Sequence, residues 1–119
     1  MPKSRIPEVY RALPSLEARF GVEIGSVAHA GDGNLHPLIT KKIPAGADPA
    51  SPPAELHEAA EELVRLALAL GGAVSGEHGI GTVKRELAAL ELSERSLAAQ
   101  RAVKAAFDPH ALFNPGKAF

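Results

Sequence analysis

A dense turn signal at residues 31–34, Gly-Asp-Gly-Asn, separates two short stretches rich in β-branched and aliphatic residues. An Asp-Gly pair in such a segment favours a tight reversal between antiparallel strands. The sequence therefore predicts a β-hairpin, with a first strand over residues 22–30 and a second strand over residues 35–40.

A helix is predicted before this hairpin, because apolar residues recur at spacings of three and four over residues 6–20. Gly21 is a natural C-terminal stop for it. Pro14 lies inside the pattern, and a proline there lacks the N–H that the helix needs, so a kink or a break is expected at this position.

After the hairpin, prolines and glycines at residues 41–53 predict a mobile surface loop. A helix then begins with Ser51 as its N-cap and ends at Gly71-Gly72. A short strand is predicted at residues 73–75. Two further helices follow, one from Thr82 to near Leu90 and one capped by Ser93 that ends near Asp108. The pattern predicts a single α+β domain in which helices cover a small antiparallel sheet.

The composition excludes several classes of protein. The chain of 119 residues contains no cysteine, so disulfides and thiolate chemistry are ruled out and any metal ligand must be His, Asp or Glu. The 13 basic and 14 acidic residues form no basic run, which argues against a nucleic-acid partner. The sequence shows neither the apolar core of a signal peptide nor a membrane span, so a cytoplasmic location is expected.

His29 and His36 lie symmetrically about the predicted turn. A loop centred on Asp32-Gly33 would pair them directly, with Cβ atoms about 4.5–5.5 Å apart. Two imidazoles at that separation can bind one metal ion. Spacing alone leaves open the alternative that both histidines merely decorate a hairpin. Asp32 fits a turn-forming role better than a ligand role.

A second cluster, Glu77 and His78, lies among three glycines at positions 76, 79 and 81. Such a segment lets a main chain approach a ligand closely and carries polar side chains without bulk nearby. Glu77 would complete a site of two histidines and one carboxylate, and His78 would serve as a general base. The alternative is a flexible loop with two solvated polar residues.

The stretch Gly79-Ile80-Gly81 opens the next predicted helix, whose N-terminal amides suit a carboxylate or a phosphate. It is not the dinucleotide-binding fingerprint, because the glycine spacing is wrong. Lys84 near that helix start would either contact a substrate or, as is more common, be solvated. His57 and His110 are predicted to be surface residues.

The segments HAGDGNLH at residues 29–36 and SGEHGIG at residues 75–81 closely resemble the C-terminal domain of FAD-linked oxidases. This family includes the flavin subunit of glycolate oxidase, D-lactate dehydrogenase and D-2-hydroxyglutarate dehydrogenase. The ending, residues 107–117, is similar to the family's C-terminus. The resemblance covers essentially the whole chain and implies a ferredoxin-like arrangement of the sheet and helices.

The resemblance also implies roles for individual residues. The metal ligands would be His29, His36 and Glu77, holding a divalent ion such as zinc, manganese or iron. His78 would be the catalytic base that takes the hydroxyl proton of a 2-hydroxy acid while hydride passes to the flavin of FAD. The residues near the substrate or cofactor would be Asn34, Gly79 and Gly81.

Family members are several times longer and carry an N-terminal flavin-binding domain that these 119 residues do not contain. The first half of their cap domain, with basic residues that grip the substrate, is not in this sequence either. We therefore expect the chain alone to be inactive and to need a separate flavin-binding chain. The missing strands would leave an open sheet edge, so self-association into a homo-oligomer, or binding to a companion chain, is also expected.

Three functions compete on this sequence. The first is the C-terminal part of a glycolate-oxidase-like enzyme acting on a small 2-hydroxy acid. The second is a non-catalytic binding or interaction module that kept the fold, which would show no oxidase activity in any mixture. The third is a small metallohydrolase with His78 as its base, which would hydrolyse substrates without flavin.

Overall fold

The computed structural model describes residues 1–48 and 50–118 and divides the chain into two compact units, Met1–Ala73 and Val74–Phe119. The first unit contains a short 3-10 helix, two longer helices and a two-stranded antiparallel sheet, and the second contains two helices. The predicted α+β class is confirmed. That all 119 residues form a single domain stays a prediction.

Helix α1 spans Ile6–Phe20, as the apolar spacing predicted. Val9, Leu13 and Leu16 recur on one side of it and are buried. The helix ends at Gly21, whose φ of 62° is left-handed and whose N–H donates to the carbonyl of Glu17 at 2.9 Å.

Of the kink or break predicted at Pro14, the break is wrong, because α1 continues through this residue as one helix. Pro14 is exposed, so its ring lies on the solvent side. The missing N–H removes only the bond that the carbonyl of Tyr10 would accept. Burial of the neighbouring Leu13 and Leu16 offsets that loss.

Strands β1 (Glu23–His29) and β2 (Asn34–Thr40) form the predicted hairpin. Side chains alternate between the two faces of a strand. Ile24, Leu35 and Ile39 point to the face that packs into the core. The alternate positions lie on the opposite face, which we call the outer face of the hairpin.

Helix α2 spans Ala54–Ala69 and begins two residues later than predicted, since Ser51 as N-cap would make Pro52 the first helical residue. Its N-cap is Pro53 rather than Ser51. Pro52 is disfavoured in the helical region because it precedes Pro53. The preceding loop has no regular structure where it is described; Pro49 lies outside the described residues.

Both helices of the first unit pack against the core face of the hairpin. Ala59 of α2 has no exposed surface, which is consistent with a close helix contact at this point. The buried cluster consists of Val9, Leu13, Leu16, Val22, Ile24, Ala59 and Leu63.

The second unit contains α3 (Arg85–Glu91) and α4 (Glu94–Phe107). Ser93 caps α4 as predicted, with its Oγ accepting a bond from the N–H of Ser96 at 3.2 Å. Helix α3 begins three residues after the predicted Thr82, because turns occupy residues 81–84.

The strand predicted at residues 73–75 is wrong. A strand needs a partner for its main chain, and in the part of the chain that is described the sheet has β1 and β2 alone. The main chain of Val74 instead binds two side chains of its own unit. Among the described residues, none of the helices combines the length and the apolarity needed to cross a membrane.

Candidate metal and catalytic residues

The two hairpin histidines lie on the same face, but they are not the directly opposed pair that the sequence predicted. His29, the last residue of β1, pairs with Asn34, and His36 pairs with Val27. The predicted register is therefore wrong by two residues. Because side chains alternate with a period of two, a shift of two keeps both imidazoles on one face.

The turn explains this shift. The loop consists of residues 30–33, one residue earlier than a loop centred on Asp32-Gly33. The N–H of Asp32 donates to the carbonyl of His29 at 2.9 Å, and the N–H of Gly33 donates to that of Ala30 at 3.4 Å. Gly33, with φ of 76°, is the last loop residue, and glycine adopts this backbone conformation at little cost.

Gly33 also meets the start of the chain. The amino group of Met1 donates to the Gly33 carbonyl at 2.7 Å. A Cβ added to Gly33 would lie 2.1 Å from the Met1 carbonyl oxygen, far inside van der Waals contact. Any residue other than glycine at position 33 would therefore force Met1 or the turn between the histidines to move.

The geometry of the two imidazoles fits a shared metal ion. Their ring centroids are 5.2 Å apart, and the ring planes are at 88°. Zinc–nitrogen bonds of about 2.0–2.1 Å, with tetrahedral angles and the radius of each ring added, put two such centroids about 5 Å apart. An edge-to-face aromatic contact has the same appearance, so only a metal-binding measurement can separate the two.

The surroundings of the pair combine polar and apolar groups. Asn34 is half-buried and directly opposite His29, so the residue predicted to lie near the site does lie beside one proposed ligand. Val27 and Leu38 lie on the same outer face and are 61% and 60% exposed. His36 is half-buried and His29 is exposed.

Glu77 and His78 belong to the second unit, in the segment of residues 75–81 that we call the glycine loop. Their side chains are 51% and 69% exposed, and Glu77 Oε1 is 3.7 Å from His78 Nε2. That distance suits an ion pair and is too long for a hydrogen bond. Gly79 and Gly81 have φ values of 76° and 58°, so both glycines are required by the main chain.

Lys84 is half-buried rather than solvated, and its Nζ donates to the carbonyl of Val74 at 3.2 Å; a substrate contact stays a prediction. The carboxylate of Glu91 accepts a hydrogen bond from the N–H of Val74 at 2.7 Å, a role that the sequence did not indicate. The signal that could have found it is the seven-residue interval from Lys84, which places both on one helical face. His57 and His110 are exposed, as predicted.

Comparison with known proteins identifies relatives along the full chain. The sequence model of the family described as FAD linked oxidases, C-terminal domain, matches residues 1–118. The glycolate oxidase subunit GlcD of Bacillus subtilis (strain 168) is 37% identical over 119 residues, which are 100% of this chain and 24% of that protein.

Two further relatives show the same pattern. The glycolate oxidase subunit GlcD of Escherichia coli (strain K12) is 37% identical over 120 residues, covering 98% of this chain and 23% of that protein. The D-lactate dehydrogenase of Archaeoglobus fulgidus is 38% identical over 120 residues, covering 98% of this chain and 25% of that protein. The chain thus spans about a quarter of the length of these relatives.

Proposed function

Since the chain belongs to the family of FAD linked oxidase C-terminal domains, we propose that it supplies the metal-binding and proton-accepting residues of an oxidoreductase acting on a 2-hydroxy acid. The observation that carries this proposal is the pair of histidine rings, 5.2 Å apart on one hairpin face. The substrate class is proposed by analogy with relatives named for glycolate and D-lactate, both 2-hydroxy acids.

We propose that His29, His36 and Glu77 are the metal ligands. The ring geometry supports the two histidines, and the motif around Glu77 together with family membership supports the carboxylate. Two imidazoles and one carboxylate leave coordination positions for the oxygens of a substrate, and they suit zinc, manganese and iron alike.

In the proposed reaction, His78 accepts the proton of the substrate hydroxyl. Its imidazole is 69% exposed and therefore accessible to a substrate. Once His78 carries that proton, the Glu77 carboxylate 3.7 Å away forms an ion pair with it. Asn34, opposite His29 in the ladder, would orient the substrate by hydrogen bonds.

The cofactors supply the remaining chemistry: FAD provides a two-electron acceptor, and a divalent ion provides Lewis acidity toward the hydroxyl oxygen. We propose that the flavin is bound mainly outside these 119 residues, by a flavin-binding domain in the same chain or in a separate one. We also propose self-association and a cytoplasmic location. The single-domain assignment of residues 1–119 belongs to the same proposal.

The first test measures the metal content of the purified protein, with and without added zinc or manganese. We expect about one divalent ion per chain, and loss of that ion in the double variant His29→Ala/His36→Ala. The matched control is His57→Ala/His110→Ala, which removes two exposed histidines that are not among the proposed ligands and should keep the ion. The metal site is refuted when wild-type protein binds none of the added metals.

A further inference from the structure

The entrance of the glycine loop is held by two charged side chains. Val74, the residue before the loop, is 5% exposed. Its N–H donates to Glu91 Oε2 at 2.7 Å, and its carbonyl accepts from Lys84 Nζ at 3.2 Å. Both polar groups of one buried main-chain unit are thus satisfied by side chains of opposite charge.

The two side chains come from the two ends of one short helix. Lys84 is the N-cap residue of α3 and Glu91 is its last residue. Leu87 and Ala88 in the middle of α3 are buried, with 8% and 4% of their surface exposed. The main chain of Val74 is therefore bonded to both ends of α3.

Two glycines of the loop have open space beside them, because a Cβ added to Gly79 or Gly81 would meet no atom within 4 Å. At the exit of the loop, the carbonyl of Gly81 accepts a bond from the N–H of Ala118 at 2.7 Å. The bonds at Val74 and Gly81 therefore fix the two ends of the segment that carries Glu77 and His78.

We propose that Glu91 and Lys84 are positioning residues, which hold the loop carrying Glu77 and His78 by binding the main chain of Val74. The inference deepens the proposed function and rests on it for the roles of Glu77 and His78. The hydrogen bonds from Lys84 and Glu91 to Val74 restrict the motion of the loop, and that motion can be measured without metal, flavin or substrate.

The test compares Glu91→Ala, Glu91→Gln and Lys84→Met with the control Glu86→Ala, an exposed glutamate in the first turn of the same helix. Backbone ¹⁵N relaxation of residues 76–79 is measured in each protein. We expect backbone order parameters of about 0.85 for these residues in the wild type and the control, and values below about 0.6 in Glu91→Ala. Glu91→Gln keeps a carbonyl oxygen and should restore most of the order.

A purely stabilising role predicts a different result: Glu91→Ala would lower the thermal unfolding midpoint and leave loop order parameters equal to those of the wild type. That outcome overturns the proposal, as does the same loss of order in Glu86→Ala. Zinc affinity is measured in parallel and should fall about tenfold in Glu91→Ala. If wild-type protein binds no metal, the proposed function fails while the relaxation data still decide the positioning role.

Discussion

The two proposed functional clusters are held by different means. The histidines lie on a hairpin whose ladder runs over seven paired residues and whose inner face joins a core with two helices. Glu77 and His78 lie on the glycine loop, whose two ends are held by hydrogen bonds to Val74 and Gly81. The first arrangement is cooperative, whereas the second depends on individual side chains.

This difference suits the proposed division of labour. Metal ligands must keep a fixed separation, because bond lengths to an ion vary little. A residue that takes a proton must meet a substrate that enters and leaves, and a loop tolerates that adjustment better than a ladder does. The following predictions test whether the two regions respond to substitution as this comparison requires.

The largest expected effect is on the core beneath the hairpin. Leu63→Ala should cost near the upper end of about 2–5 kcal/mol in unfolding free energy, because Leu63 belongs to the seven-residue buried cluster. Leu97→Ala in the second unit should cost near the lower end of that range, because Leu97 is equally buried and lies outside the cluster. Urea unfolding followed by circular dichroism measures both, and a larger loss for Leu97→Ala would contradict the comparison.

A smaller effect is expected from two glycines with the same φ of 76°. Gly79→Ala should cost about 1–2 kcal/mol, the strain of a left-handed alanine. Gly33→Ala bears that strain and also collides with the Met1 carbonyl, so it should cost about 1 kcal/mol more. Zinc binding should weaken in Gly33→Ala, because the turn sets the spacing of His29 and His36.

The measurements are the urea midpoint and a zinc titration on each variant. Equal destabilisation by the two substitutions would mean that the contact between Met1 and the Gly33 turn contributes nothing. Unchanged zinc affinity in Gly33→Ala would show that the histidine spacing does not depend on this turn.

Much of the first unit could be predicted because its patterns are local. Apolar spacing and Gly21 gave both ends of α1, and the turn signal gave the hairpin. The register could not be predicted, because residues 31–34 offer two glycines and the loop centre depends on which of them adopts positive φ. The resemblance to a family located both clusters independently of that register.

The second unit was harder to predict for a physical reason. Val74 favours a strand, yet a strand forms only when its main chain pairs with another strand. Here the partners of Val74 are the side chains of Lys84 and Glu91, which are 10 and 17 residues away along the chain. The seven-residue interval puts Lys84 and Glu91 on one helical face, but neither spacing nor composition indicates that both side chains bind the main chain of Val74.

The smallest expected effect is on the pH dependence of stability, and it differs between the two units. In the second unit the Asp108 side chain is buried, and its hydrogen bond from Lys104 lowers the pKa of the carboxyl despite the opposing effect of burial. The same carboxylate accepts bonds from the N–H groups of Leu112 and Phe113 at 2.9 and 3.0 Å. In the first unit the hydrogen bond from Lys41 lowers the pKa of Glu55, which is more exposed.

A lowered pKa in the folded state means that the stabilisation is complete above the unfolded value and is lost as pH falls toward the folded value. Wild-type protein should therefore lose stability below about pH 4, where an unfolded aspartate takes up its proton. Asp108→Asn should be less stable than wild type at pH 7, and its thermal midpoint should change less with pH below pH 4. Glu55→Gln should change the pH dependence of the midpoint less, because exposed ion pairs contribute little to stability. Thermal midpoints between pH 3 and 7 measure this, and an unaltered acid slope in Asp108→Asn would show that the tail beyond α4 is held by other contacts.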